Sequence, residues 1–351
     1  MSKNLIIILL ALCTLCVKTS QAAPVKQLFQ ASVAIADTSM GSRVQAIQSA
    51  FAATLIKVTG NPNVVNIPNI QNAISNAESY LEQYGYQNDN GQSYLMASFY
   101  PNLIKNLLKQ NNVALWGSDR PEVLVWLVSK QNQIMSSTTA SPLQQALLRD
   151  ASNRGLPISL PLMDMHDLQS ITAKQLCAFD QQAIQAASNR YHPDVILVAC
   201  LQPDNNPVNS AGNSNWQGHF SLFTRNQTYS WTSQQIDEKA LLADSIAKVG
   251  NDLAQNYAVN TDQDNVTVVK LVVSNIRDYQ VLNQVRKYLA QLTPVQQVAV
   301  NSIAPNVASF SLEVIGGSDA LIHVLNLDHE LVPAKQINQN NDNGLYYQWL
   351  S

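Results

Sequence analysis

Asp164, His166 and Asp167 close the stretch RGLPISLPLMDMHD (154–167), and their types and spacing come closest to chemistry in this chain. Two carboxylates and an imidazole, displayed where an apolar run ends, could hold a divalent cation and activate a water for hydrolysis. The carboxyl ends of parallel strands are where open α/β sheets bind ligands. The same residues also read as a helix start, with Asp164 or Asp167 accepting from free backbone N–H groups and favouring the helix dipole. The helix start is the favoured expectation, because a metal centre needs ligands from elsewhere and the chain has 5 histidines in all. Asp328-His329-Glu330 is a second cluster, but it lacks the HExxH spacing that sets two imidazoles on one helical face. No GxSxG elbow and no phosphate-cradling glycine loop occurs. The expectation is therefore no catalytic set, no metal and no cofactor. The alternative is a metal-assisted hydrolase using the Asp164–Asp167 segment.

Other residues point to binding or to compartment. Trp216, Phe220, Phe223, Tyr229 and Trp231 crowd NWQGHFSLFTRNQTYSWTS (215–233), which alternates like a hairpin with Arg225-Asn226 near its turn. Half of such a ribbon must face a core; the outward half would form an aromatic platform for a protein partner, with Trp216, Phe220, Tyr229 and Trp231 as the residues to watch. Cys177 and Cys200 are the cysteines outside the N-terminal stretch. They are too far apart for a redox CxxC, and either a structural bridge or two buried thiols fits them.

Residues 1–22, MSKNLIIILLALCTLCVKTSQA, have a basic start, an apolar run and small residues before Ala23, the pattern of a cleavable signal peptide. A lipoprotein cysteine follows a small residue, whereas Cys13 and Cys16 both follow leucine. The expected location is the periplasm, with secretion as the variant. The chain carries 21 Lys and Arg against 24 Asp and Glu, a formal net charge of −3, and has no basic run. Nucleic acid and acidic lipid are poor partners for such a chain. No later stretch has the apolar length of a membrane span.

The elements that must position these residues fall into three regions, giving a mixed α+β and α/β expectation of three small domains. Residues 23–118 read as strand, helix, helix, strand and helix, with turn-rich joints at 61–67 and 85–93. The second helix is expected from Pro68 through Tyr84, on the face of Ile70, Ile74, Ala77 and Leu81. Residues 119–260 read as a βαβαβ sheet made of PEVLVWLVS, LPISLPLMD and DVILVACLQ, followed by the hairpin and a long helix. Residues 261–351 read as β-α-β-β-α with Tyr346–Leu350 as an edge strand, a ferredoxin-like pattern.

Four phrases in order, FAATLIKVTGNPNV, SDRPEVLVWLV, RGLPISLPLMDMHD and NRYHPDVILVACL, together resemble DUF2066, a family of exported proteobacterial proteins of unknown function. That family implies no catalytic residues to carry over. This chain departs from it at Ala199-Cys200, where a glycine and a basic residue are expected. More weakly, the middle region is similar in architecture to the N-terminal domains of Tol-Pal-associated periplasmic proteins (TolB N-terminal-like) and to flagellar-ring modules, which are interaction modules. The resulting expectation is a non-catalytic periplasmic envelope protein that acts as a protein-interaction or assembly module on envelope partners.

Overall fold

The computed structural model describes residues 27–350 except Asn90, 130–131, 205–215, 225–226, 260–265, 328–329 and 335–343. The expected signal peptide, the Asp328-His329 pair and the Arg225-Asn226 turn lie outside the described residues. The protein is a mixed α+β chain with three sheets, each with its own apolar core.

In the first region, β1 (Gln30–Ile35) leads into α1 (Met40–Thr59). Ser39 caps α1 by accepting from Ser42 N, and Gly60 ends it in the left-handed conformation. One face of α1, including Ile47, Phe51, Leu55 and Val58, is fully buried. The expected long second helix stops early. α2 covers Pro68–Ser75, a 3-10 turn spans Ala77–Tyr80, and Leu81–Asp89 is β2. β2 pairs antiparallel with β3 (Gln92–Phe99), so the joint expected at 85–93 is largely a hairpin. The sheet order is β1-β3-β2, and α3 (Pro101–Gln110) follows.

The middle sheet is built on β4 (Val123–Ser129), β5 (Gln133–Ile134), β6 (Ile158–Ser159), β7 (Val195–Pro203), β8 (Trp216–Phe223) and β9 (Thr228–Gln235). β4 and β7 run parallel, side by side, and are apolar and buried from Val123 to Val128 and from Val195 to Leu201 because both faces are covered there. Val123, Val125 and Leu127 face one core with α4 (Pro142–Arg154) and α8 (Glu238–Tyr257); Leu124, Trp126 and Val128 face the other. That second core is closed by Ile171, which follows α5 (Met165–Ser170), and by α6 (Ala173–Cys177) and α7 (Gln181–Ser188). The long strand expected from LPISLPLMD is two residues, paired with the start of β4, because Pro157 and Pro161 bracket it and cannot donate to a ladder.

In the third region β10 (Val266–Ile276), α9 (Tyr279–Gln291), β11 (Val295–Ala304), β12 (Asn306–Ile315), α10 (Gly317–Leu325), β13 (Leu331–Pro333) and β14 (Leu345–Trp349) form a sheet ordered β11-β12-β10-β14-β13. β10, α9, β11 and β12 follow the expected ferredoxin-like order, but the last part departs from it: β14 runs parallel to β10, where that pattern has an antiparallel strand, because β13 is inserted ahead of it and reverses the chain. β14 is not the edge, since β13 pairs outside it. Among the described residues no helix is long and apolar enough to cross a membrane.

Candidate functional site

The acidic cluster is a closed clasp. Asp164 caps α5, its Oδ1 accepting from His166 N and Asp167 N, each at 3.1 Å. Arg190, in the turn before β7, donates Nη1 and Nη2 to the two carboxylate oxygens of Asp164 at 2.8 and 2.9 Å. Its Nη1 also reaches Asp167 Oδ1 at 3.1 Å. Asp167 is fully buried, and its Oδ2 accepts from Met163 N at 2.8 Å and from the Tyr191 hydroxyl. The Tyr191 oxygen accepts in turn from Leu162 N at 2.9 Å. His166 is exposed.

This wiring decides what the cluster can do. The Arg190 guanidinium holds the Asp164 carboxyl well below the usual carboxylate range, and burial with the Asp167 hydrogen bond pushes the Tyr191 phenol up to about 12. Neither group sits near neutrality, where a general acid or base is effective. A cation would have to displace Arg190 from its bidentate pair with Asp164 and from Asp167, whose other oxygen is already held by Met163 N and Tyr191. Among the described residues no group of three or more His, Cys, Asp or Glu is placed to hold a metal ion. The clasp therefore fixes the turn between β6 and α5, in which Met163 adopts a positive φ of 55°.

Cys177 on α6 and Cys200 on β7 are joined in a disulfide across a sequence separation of 23. Closing a loop of that length restricts the unfolded chain by about 3 kcal/mol. A Cys177→Ser/Cys200→Ser variant should lose roughly that much stability in denaturant melts; a loss below about 1 kcal/mol would show that the bridge constrains little.

The aromatic hairpin forms, but its four expected contact residues share the face turned to the middle core, and Tyr229 is exposed only near the hairpin's end. Trp216 and Phe220 are buried in the middle core, and Trp231 stacks on Phe220 with ring centroids 5.3 Å apart. The reason is the alternation itself: β8 and β9 lie under α8, so the face carrying the large rings is the covered one. Tyr229, 41% exposed, is what remains of the platform.

A concavity lies elsewhere, around the segment Leu115–Arg120. Leu115 forms a bridge with Val259 after α8, and Trp116 N donates to Val58 O in α1 at 2.8 Å. Gly117 lies so close to Thr293 that a Cβ would fall 1.9 Å from its Oγ1. Asp119 Oδ2 accepts from Thr293 N and Oγ1 at 3.1 and 2.9 Å. Arg120 is buried against the Trp116 ring, 4.0 Å from its centroid, and donates only to main-chain carbonyls. Burial, with Arg154 nearby, pushes Arg120 down to about 9, so it stays charged at neutral pH. Burial likewise lowers Lys57, which donates to Gln30 O at 2.8 Å, to about 8.

This segment ties all three regions together and floors a cleft of about 500 Å³ between the start of β1 and the end of α9. Leu28, Phe99, Leu115 and Leu292 supply apolar walls, and Glu82 and Lys105 add one charge of each sign. Arg190, Arg120 and the cleft were not singled out from sequence. Each is assembled from segments far apart in the chain, so no local spacing marks it.

The comparisons with known proteins can be set beside this geometry. Residues 22–117 match the model of a family described as a domain of unknown function, DUF8605. This corrects the resemblance to DUF2066. The phrases that carried it are a capped buried helix, two doubly covered strands and a helix-capping turn, patterns that packing demands in many unrelated chains. No curated protein matches. Among solved structures, a competence-damaged protein (CinA) superfamily protein from Escherichia coli aligns at 10% identity, over 44% of this chain and 83% of that chain, with a TM-score of 0.19.

Proposed function

We propose that this is an exported, non-catalytic cell-envelope protein whose junction cleft holds an extended segment of another envelope protein. The cleft carries the proposal: its size is that of a ligand site, and its walls mix apolar side chains with amides, hydroxyls and two opposite charges. That lining suits a peptide better than a small charged metabolite. The leader-like residues 1–22 and the disulfide support an oxidising compartment outside the cytoplasm. The clasp, whose carboxylates are occupied by Arg190, Tyr191 and main-chain N–H groups, supports binding over hydrolysis.

The test is photo-crosslinking in intact cells from Lys105 and from Gln291, exposed residues that both line the cleft. The expected result is one shared adduct from both positions and none from exposed Lys239 on α8. No adduct from either cleft position, or turnover of a wall or lipid substrate by the purified protein, would overturn the reading.

A further inference from the structure

A strand at the end of a sheet offers unpaired N–H and C=O groups, and proteins usually blunt such edges. Most edges here are blunted. β1 is six residues, and its outward carbonyl at Gln30 is taken by Lys57 Nζ at 2.8 Å. β2 is irregular between Leu81 and Gln83 and carries Glu82. β11 shifts register between Val295 and Gln297 and again between Val300 and Ser302. β13 is three residues ending in Pro333, and β5 is two.

Among the described residues β9 is the longest edge strand that carries no such device. Its eight residues, TYSWTSQQ, contain no proline, glycine or charge, and they pair with β8 from Phe223↔Thr228 to Trp216↔Gln235 without a shift. The hairpin closes with Thr224 N donating to Gln227 O at 2.9 Å. Antiparallel alternation from that pair turns the main-chain groups of Tyr229, Trp231 and Ser233 toward β8. Those of Thr228, Ser230, Thr232 and Gln234 therefore face outward. This outward set is symmetric about Trp231.

We propose that β9 pairs antiparallel with β9 of a second copy of this chain, around a two-fold axis at Trp231. In that register Thr228 of one copy faces Gln234 of the other, and Ser230 faces Thr232. Every outward main-chain group finds a partner, and each facing pair joins hydroxyls or amides with no like charges opposed. On the helix-covered face the axis passes Trp231, over which Lys248 sits 5.5 Å from the ring centroid. Lys248 is itself paired with Asp252 at 3.2 Å, and Asp244 accepts from Ser233 Oγ at 2.7 Å. The contact is isologous: it uses the β9 edge of each copy once, so it closes at two copies instead of extending into a fibre. The two middle sheets become one continuous sheet.

The test is sedimentation of the mature protein from low micromolar to several hundred micromolar concentration. A concentration-dependent dimer is expected. Thr232→Pro removes an outward N–H while leaving the bonds to β8, and should weaken the dimer at least about tenfold. Ser230→Lys with Thr232→Lys should abolish it by opposing like charges, as should Ser230→Asp with Thr232→Asp. Mixing the lysine and aspartate variants should restore a heterodimer, which a merely misfolded strand would not do. A wild type that stays monomeric throughout, including one that instead captures a strand of a different protein, overturns the proposal. So does a dimer that survives the proline and both charged variants.

Discussion

Replacing Arg120 with methionine should destabilise the protein by on the order of 3–5 kcal/mol, read from denaturant melts followed by circular dichroism. The side chain is buried and its donors are fully used. Nε donates to Gly117 O at 2.8 Å. Nη1 donates to Arg154 O and Gly155 O at 3.0 and 3.1 Å, and Nη2 to Lys57 O and Trp116 O at 2.7 and 2.8 Å. Lys57 and Arg154 lie in the last turns of α1 and α4, where carbonyls lack helical partners and carry the negative end of the dipole. Methionine would fill the volume but leave these acceptors dry and unsatisfied. Lysine should recover less than half of the loss, because one ammonium cannot fork between carbonyls on three segments. A loss under about 1 kcal/mol for Arg120→Met would refute the structural role given to this residue.

Asp167→Asn should be the second costly change, at roughly 2–4 kcal/mol. The buried carboxylate accepts from Met163 N, the Tyr191 hydroxyl and Arg190, and an amide would set a donor against one of them. The neighbouring Asp164 supplies a pH signature. Its folded pKa is lowered by Arg190, so its contribution is present above the unfolded value of about 3.9 and is lost as pH falls below it. Wild type should therefore lose stability on acidification below about pH 4, and Asp164→Asn should flatten that limb. An unchanged acid limb in Asp164→Asn would mean that the pair with Arg190 adds nothing to folding.

Much of this architecture was legible where a single chain segment carries its own reason. VLVWLV and VILVACL are apolar without alternation because sheet cores cover both faces, and Ser141 and Gly155 bound α4 by capping. The hairpin and the third sheet followed from period-two alternation. β2 was not legible: LEQYGYQND has weak strand propensity and a glycine, and pairing with β3 makes it a strand. The end of the RGLPISLPLMDMHD run was legible as a helix start, but not as a clasp, since Arg190 and Tyr191 come from the far side of a crossover. The cleft was invisible for the same reason. Its walls meet only once Asp119 has found Thr293 across 174 residues.

That separation has a consequence for how the chain acquires its shape. Synthesis delivers the N-terminus first, so Leu115–Arg120 exists long before its last contact does. Arg120 waits for Arg154 and Gly155 to close α4, and Asp119 waits for a threonine near the end of α9. The first region can build its own core early, but its lower rim remains an unfinished surface until then. Closure of the cleft between β1 and α9 is thus a late event in assembly, since its two sides meet only once the chain has been made past α9.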